Sequence, residues 1–243
     1  MHYRLSKDKI LFNIIAYTFL MAFTVCCLLP FLFVLSGALS SERSILEHGY
    51  SLFPREFSLS AFRTLLAMPG DILNAYGVTV TITVLGTAVG LFITAMAAYV
   101  LQRKCFPHRN AFAFFFYFTT IFEGGIVPKY ILMIRYLDMK NNLLALILPL
   151  LINVFYIIII RSTISSSLPN SLIESAEIDG AGEFQIFRKI VIPLSKPILA
   201  TVGLFMALEY WNDWFNAMLY VDQKSLIPLQ YYLYKMLSQI TML

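Results

Sequence analysis

Two long stretches without a charged side chain constrain this chain more than any other feature: no Asp, Glu, Lys or Arg lies between Ile10 and Leu35, or between Asp71 and Arg103. Each exceeds the roughly 20 apolar residues with which a helix crosses a bilayer. A helix that is apolar all round has no aqueous face, so lipid or a large core must surround it. Composition separates those two cases. Of 243 residues, 59% are hydrophobic and 13% charged, against about 25% charged in an average soluble domain, which leaves too few charges to clothe a soluble protein. A soluble, secreted or nucleic-acid-binding domain is disfavoured, and the expected fold is an all-α polytopic transmembrane helical bundle.

Apolar runs place crossings at about 11–39, 72–101, 110–127, 141–161 and 197–219. Arg4, Lys7 and Lys9 precede the first run as in a secretion signal, but the run is too long for the apolar core of one and reads as a retained first span. Cys26, Cys27 and Cys105 show no CxxC spacing, so neither a disulfide framework nor a metal site is expected. With the N-terminus inside, ten Lys and Arg against five acids fall on inner segments, and eight against nine on outer ones. That imbalance, with three bases and no acid between Gln102 and Arg109, favours a cytoplasmic N-terminus. The stretch Ser40 to Gly70 then reads as an external loop with short helices, and Pro69-Gly70 as a turn.

The same orientation makes residues 162–196 the longest cytoplasmic loop. After Leu168-Pro169-Asn170, the segment Ser171 to Ile178 can form two helical turns with Leu172, Ala176 and Ile173 as candidates for one apolar face. Asp179-Gly180 ends that helix, because glycine enters the left-handed region freely. A second piece through Phe184, Phe187, Ile190 and Val191 has an apolar edge, and Pro193 and Pro197 start or kink the next span. Helix, turn, helix is compatible with an amphipathic linker lying on lipid or with a knob that docks a partner. Glu174 and Glu177 suit a protein groove better than an anionic membrane surface.

The run Glu174-Ser175-Ala176-Glu177-Ile178-Asp179-Gly180-Ala181-Gly182, with Phe187, Ile190 and Pro193 after it, resembles the EAA loop of bacterial ABC-importer permeases. Ser175 stands where that pattern has alanine, one small residue for another. Gly124-Gly125-Ile126-Val127-Pro128, Asn141-Asn142, Leu148-Pro149 and Tyr210-Trp211-Asn212-Asp213-Trp214-Phe215-Asn216-Ala217 are similar to the second permease subunit of sugar and oligosaccharide importers, the maltose permeases among them. The resemblance implies a multi-pass bacterial cell-membrane protein that works with a second homologous permease, two cytoplasmic ATPase subunits and an extracytoplasmic solute-binding lipoprotein to carry a carbohydrate. It also implies that Glu174, Ser175, Ala176, Asp179, Gly180, Ala181 and Pro193 form the ATPase-coupling segment. Members usually have six helices, so five visible spans suggest a missing sixth and a chain that is C-terminally incomplete.

The residues agree with that division of labour. There is no phosphate-binding Gly-rich loop ending in Lys-Ser/Thr, no HExxH and no G-x-S-x-G, so no catalytic residue, metal or cofactor is expected and energy must come from a partner or a gradient. An ion-gradient transporter or a noncatalytic scaffold are the alternatives. For the solute path, Glu123 precedes a helix break at Gly124-Gly125, and broken helices are tolerated beside protein or a watery cavity. Glu123 is therefore a vestibule residue or an interfacial carboxylate paired with Lys129 or Arg135. Tyr210, Trp211, Asn212, Asp213 and Asn216, next to Glu209, mix the amide, carboxylate and aromatic groups that bind sugars, though Trp and Tyr also mark membrane interfaces.

Overall fold

The computed structural model describes residues 7–66 and 69–241, and it divides into two compact units, 1–69 and 70–243. In the first unit, α1 (Lys7–Ala38) is followed by α2 (Glu42–His48) and α3 (Ser60–Leu66). At 1.5 Å per residue α1 is about 48 Å long, more than the roughly 30 Å hydrocarbon core of a bilayer. None of its most apolar window is buried in the protein, which in water would be untenable for a helix of this composition and which lipid resolves. Ser41 caps α2 by accepting a hydrogen bond from the Ser44 amide at 3.2 Å, and its hydroxyl donates to Glu56. The polar connection thus forms short helices, as expected.

The second unit opens with α4 (Pro69–Gln102), 34 residues long. Pro69 begins the helix instead of marking a turn before it; proline suits the first helical turn, whose amides lack intrahelical partners anyway. Buried positions Ala75, Thr79, Ile82, Thr94, Ala98 and Leu101 recur at helical spacing, and glycines extend this stripe. A Cβ on Gly86 would overlap the Tyr210 ring, and one on Gly90 would stand 3.0 Å from the Leu151 carbonyl. Small residues let helices approach closely where hydrophobic burial alone gives little drive.

Three further apolar helix pairs among the described residues are bent. α5 (Arg109–Ile121) breaks at Phe122 to Gly125, and α6 (Ile126–Ile131), prolonged by a π-turn at Leu132–Tyr136, leaves at 111°. The third helix therefore stops at Ile121 instead of continuing to 127. Gly125 at φ 80 supplies the break, a conformation open to glycine without steric cost. α7 (Leu144–Ile147) continues as a 3₁₀ turn, Leu148–Leu150, and meets α8 (Val154–Ser167) at 52°. α8 runs past the expected end at 161, so the loop proper begins after Ser167. Asn153 caps it by accepting from the Phe155 amide at 3.0 Å.

α9 (Asn170–Ile178) and α10 (Glu183–Ile186) follow; α10 passes through a π-turn, Phe187–Val191, into α11 (Ile192–Leu194). That segment meets α12 (Lys196–Asn212) at 83°. Pro197 lies in the first turn of α12, where its fixed φ suits a helix start and its missing N–H cannot carry the ladder of α11 across the bend. α13 (Phe215–Tyr220), a 3₁₀ turn at Lys224–Leu226 and α14 (Leu229–Thr241) complete the order. Among the described residues, two helices can cross a membrane alone by length and composition, and up to five crossings result if each bent pair is one span.

Candidate functional site

The EAA-like loop is a two-sided object. Ile173 is 1% exposed and, with Ile186, Phe187 and Val191, belongs to the apolar cluster formed by Tyr99, Ile160, Ile164 and Met206 of the long helices. Ala176 and Ala181 pack against its edge. Leu172 points outward and does not share the Ile173 face. On the outer side Glu174, Ser175 and Asp179 are exposed, and Ile178, a large apolar residue, is 86% exposed. Ser175 donates its hydroxyl to the Leu172 carbonyl, so the small-for-small replacement keeps the helix intact.

The turn after α9 is a Schellman motif. The Ala181 amide donates to Ala176 at 2.9 Å, the Gly180 amide donates to Glu177 at 3.0 Å, and Gly180 has φ 79. This geometry satisfies the carbonyls left open at a helix end and brings the chain back on itself. Pro193 lies on the exposed side of α11, ahead of the 83° bend.

A polar clamp ties this loop to the end of α4. Arg103 donates through Nε (3.2 Å) and a terminal nitrogen (2.7 Å) to Glu183, and also donates to Glu177. The Tyr99 hydroxyl donates to the other Glu183 oxygen at 2.5 Å, and the Arg103 guanidinium lies 5.9 Å from the Tyr99 ring centre. Burial alone would lower the Arg103 pKa, but Tyr99 and Glu183 more than offset that and the net direction is upward, so the charge persists. Nothing local in the sequence announces this arrangement: its partners stand 74 and 80 residues apart.

Among the solute-path candidates, Glu123 lines a cavity of about 410 Å³ with Thr119, Thr120, Asn153 and Glu209. Among the described residues it forms no ion pair with Lys129 or Arg135. Tyr156 donates its hydroxyl to Glu209 at 2.6 Å. The block from Tyr210 to Asn216 lies apart from this lining. Tyr210 is 1% exposed and donates to the Ile147 carbonyl at 2.9 Å. Trp211 faces the Tyr76 ring at 6.4 Å, and Asn212 donates to Leu208. Asp213 accepts from the Asn216 backbone and side-chain amides at 3.1 and 2.8 Å, capping α13. Asn153, Thr119 and Thr120 carried no signal in the sequence beyond being polar residues in apolar surroundings.

Comparison with known proteins agrees with this architecture. Residues 110–217 match the family described as "Binding-protein-dependent transport system inner membrane component". Protein LplC of Bacillus subtilis is 38% identical over 238 residues, covering 98% of this chain and 78% of that protein. The polygalacturonan/rhamnogalacturonan transport system permease protein YtcP of Bacillus subtilis is 38% identical over 90% of this chain and 76% of its own length. A chain in the crystal structure of a bacterial ABC transporter involved in the import of the acidic polysaccharide alginate superposes with a TM-score of 0.86 at 31% identity, covering 96% of this chain and 82% of that one. A bent-helix bundle carrying an EAA-like loop on its packed core, with relatives matched over most of their length, establishes that this chain belongs to the binding-protein-dependent ABC-transporter permease family of inner-membrane components.

Proposed function

We propose that the chain, residues 1–243 as one permease domain, is a membrane-spanning subunit of an ATP-driven importer of a sugar or oligosaccharide, with its N-terminus in the cytoplasm. Its partners in this reading are a second homologous permease, two cytoplasmic ATPase subunits and an extracytoplasmic solute-binding lipoprotein; the subunit itself hydrolyses nothing. Residues 162–196 form the cytoplasmic coupling loop. The observation that carries the reading is the two-sidedness of α9: Ile173 is sealed into the span core while Ile178 and Glu174 face outward beside the Gly180 turn. An apolar side chain left bare next to acids is suited to a protein groove, where burying it contributes about 1.5–3 kcal/mol.

Nucleotide-driven closure of the ATPases would then move α9, and through Ile173 and Arg103 the ends of α8 and α4. Carbohydrate as cargo is supported by the named cargoes of similar proteins, which include the acidic chains polygalacturonan and alginate, and by the mixed polar lining around Glu123; the carbohydrate class is carried over to this chain, the charge of those cargoes is not. The test is reconstitution of the complete importer in vesicles. Glu174→Lys and Gly180→Pro should leave the subunit in the membrane yet lose ATPase retention and sugar uptake. Wild-type coupling in both variants would refute docking through this loop.

A further inference from the structure

We infer that the cavity between α5, the α7–α8 break and α12 is a charge filter: it takes a neutral or amino-bearing sugar chain and turns away uronates. This rests on the importer reading above and names the substrate class of its path. The cavity's volume of about 410 Å³ lies within the roughly 300–1,000 Å³ typical of ligand sites. Its lining combines two carboxylates, Glu123 and Glu209, with Asn153, Thr119 and Thr120, and no Lys or Arg belongs to it among the described residues.

The hydrogen bonds already made by the lining define what it offers a solute. Thr119 and Thr120 both spend their hydroxyl protons on the Phe116 carbonyl, leaving oxygen lone pairs. One Glu209 oxygen accepts from Tyr156. The other Glu209 oxygen and both Glu123 oxygens have no hydrogen-bonding partner among the described residues. The Asn153 carbonyl oxygen is committed to the Phe155 amide, and its NH₂ group is the free donor. Acceptors therefore outnumber donors. A sugar hydroxyl, both donor and acceptor, satisfies such a lining, whereas a uronate brings a further acceptor-only group and a like charge beside two carboxylates that no lining cation offsets among the described residues. Tyr156 is 6% exposed and lies in the packed core, so its hydrogen bond holds the Glu209 carboxylate in place at the cavity wall. A second recess, about 460 Å³ between α4 and α5, is lined by apolar residues alone and has nothing to orient a sugar.

The test uses saturation-transfer NMR on the importer assembled with its partner subunits in nanodiscs, without nucleotide or binding protein. The probes are trigalacturonate and its carboxyl-reduced neutral counterpart at equal concentration. The neutral sugar should give the stronger signal by about tenfold or more. Glu123→Gln/Glu209→Gln should raise the uronate relative to the neutral sugar to within about threefold. Glu123→Gln alone, at an exposed side chain, should shift the ratio part of the way and guards against misfolding of the double variant. Equal signals from both sugars in the wild type, or an unchanged ratio in variants that still assemble, would overturn the filter while leaving a carbohydrate importer standing. No signal from either sugar, with no sugar-dependent uptake in vesicles, would remove the carbohydrate reading and the filter together.

Discussion

Arg103→Ala should loosen the coupling loop without disturbing the spans. The guanidinium is 13% exposed, while its partners Glu177 and Glu183 are 43% and 56% exposed. Solvent-exposed ion pairs contribute about 0.2–1 kcal/mol, and breaking a buried pair costs about 3–5 kcal/mol. With a buried cation and half-exposed acids, the clamp falls between these limits, at about 1–2 kcal/mol, equivalent to a factor of roughly 5–30 in a local opening equilibrium. The amides that report it are Gly180 and Ala181, whose hydrogen bonds to Glu177 and Ala176 close the turn. Their hydrogen-exchange protection should fall by that factor in Arg103→Ala, while amides in the middle of α4 and α8 keep theirs.

A double-mutant cycle isolates the interaction from lost packing. Arg103→Ala and Glu183→Ala should be non-additive by about 1–2 kcal/mol, and the coupling should shrink at high salt because the acids face solvent. Glu183→Gln should retain part of the effect, since an amide oxygen still accepts from Tyr99. In vesicles, ATP hydrolysis should continue in Arg103→Ala with less solute moved per ATP. Unchanged exchange at residues 180–181, or strict additivity in the cycle, would refute the clamp as the tie between loop and span.

Gly180→Ala keeps the turn sequence but places a side chain at φ 79, a left-handed conformation that costs an L-residue about 1–2 kcal/mol; ATPase retention in a pull-down should weaken, and Gly180→Asn should be milder. Gly86→Ala should destabilise by about 1–3 kcal/mol through overpacking, because its Cβ meets the Tyr210 ring, whose hydroxyl is anchored at Ile147; a lower melting temperature in detergent, relieved by Tyr210→Leu, is the expected result. Lys140 donates to Asp222 at 2.7 Å and holds that carboxyl below its ordinary pKa. A depressed folded pKa means the contribution is present above the usual carboxylate value of about 4 and lost as pH falls through the folded value. Acidification through that range should therefore lower the protection factors, measured against intrinsic exchange at each pH, of the Asp222 and Gln223 amides, which donate to Asn141 Oδ1, and Asp222→Asn should abolish the pH dependence of that protection.

What could be read from sequence was whatever has a short-range signature. Charge-free runs located α1 and α4, Gly124-Gly125 located the break after α5, and Asp179-Gly180 located the turn after α9. The bends of 52° and 83° were less legible, because a helix reversal inside an apolar run depends on what packs against it. The Tyr210 to Asn216 block illustrates the same limit. Its composition suits either a sugar path or an interface, but the close approach at Gly86 draws Tyr210 into the core, and Asp213 is engaged by the first turn of α13. Glu209, one residue before the block, faces the cavity instead. Arg103 appeared only as one base in a basic loop; its role arises from chain reversal that brings residues 177 and 183 beside it.

The loop and the cavity are joined by one packed cluster, and this constrains how the subunit can move. Ile173 of α9, Phe187 of the π-turn, Ile160 and Tyr156 of α8 and Met206 of α12 all belong to it. The Tyr156 hydroxyl leaves that cluster to hold Glu209. Close-packed interiors have little free volume, so they shift between discrete packings more readily than they deform continuously. A displacement of α9 large enough to move Ile173 must therefore be passed to α8 or leave a void, and a missing buried side chain costs several kcal/mol. Glu123 lies on the α5 side of the cavity, while Glu209 is tethered through Tyr156 to α8. Motion of α8 against α5 would change the separation of the two carboxylates, and with it the solute that fits between them. Contact by itself does not make two sites couple; this packing requires a coupling free energy different from zero between Ile173→Val and Tyr156→Phe in sugar binding, and strict additivity of the two substitutions would refute it.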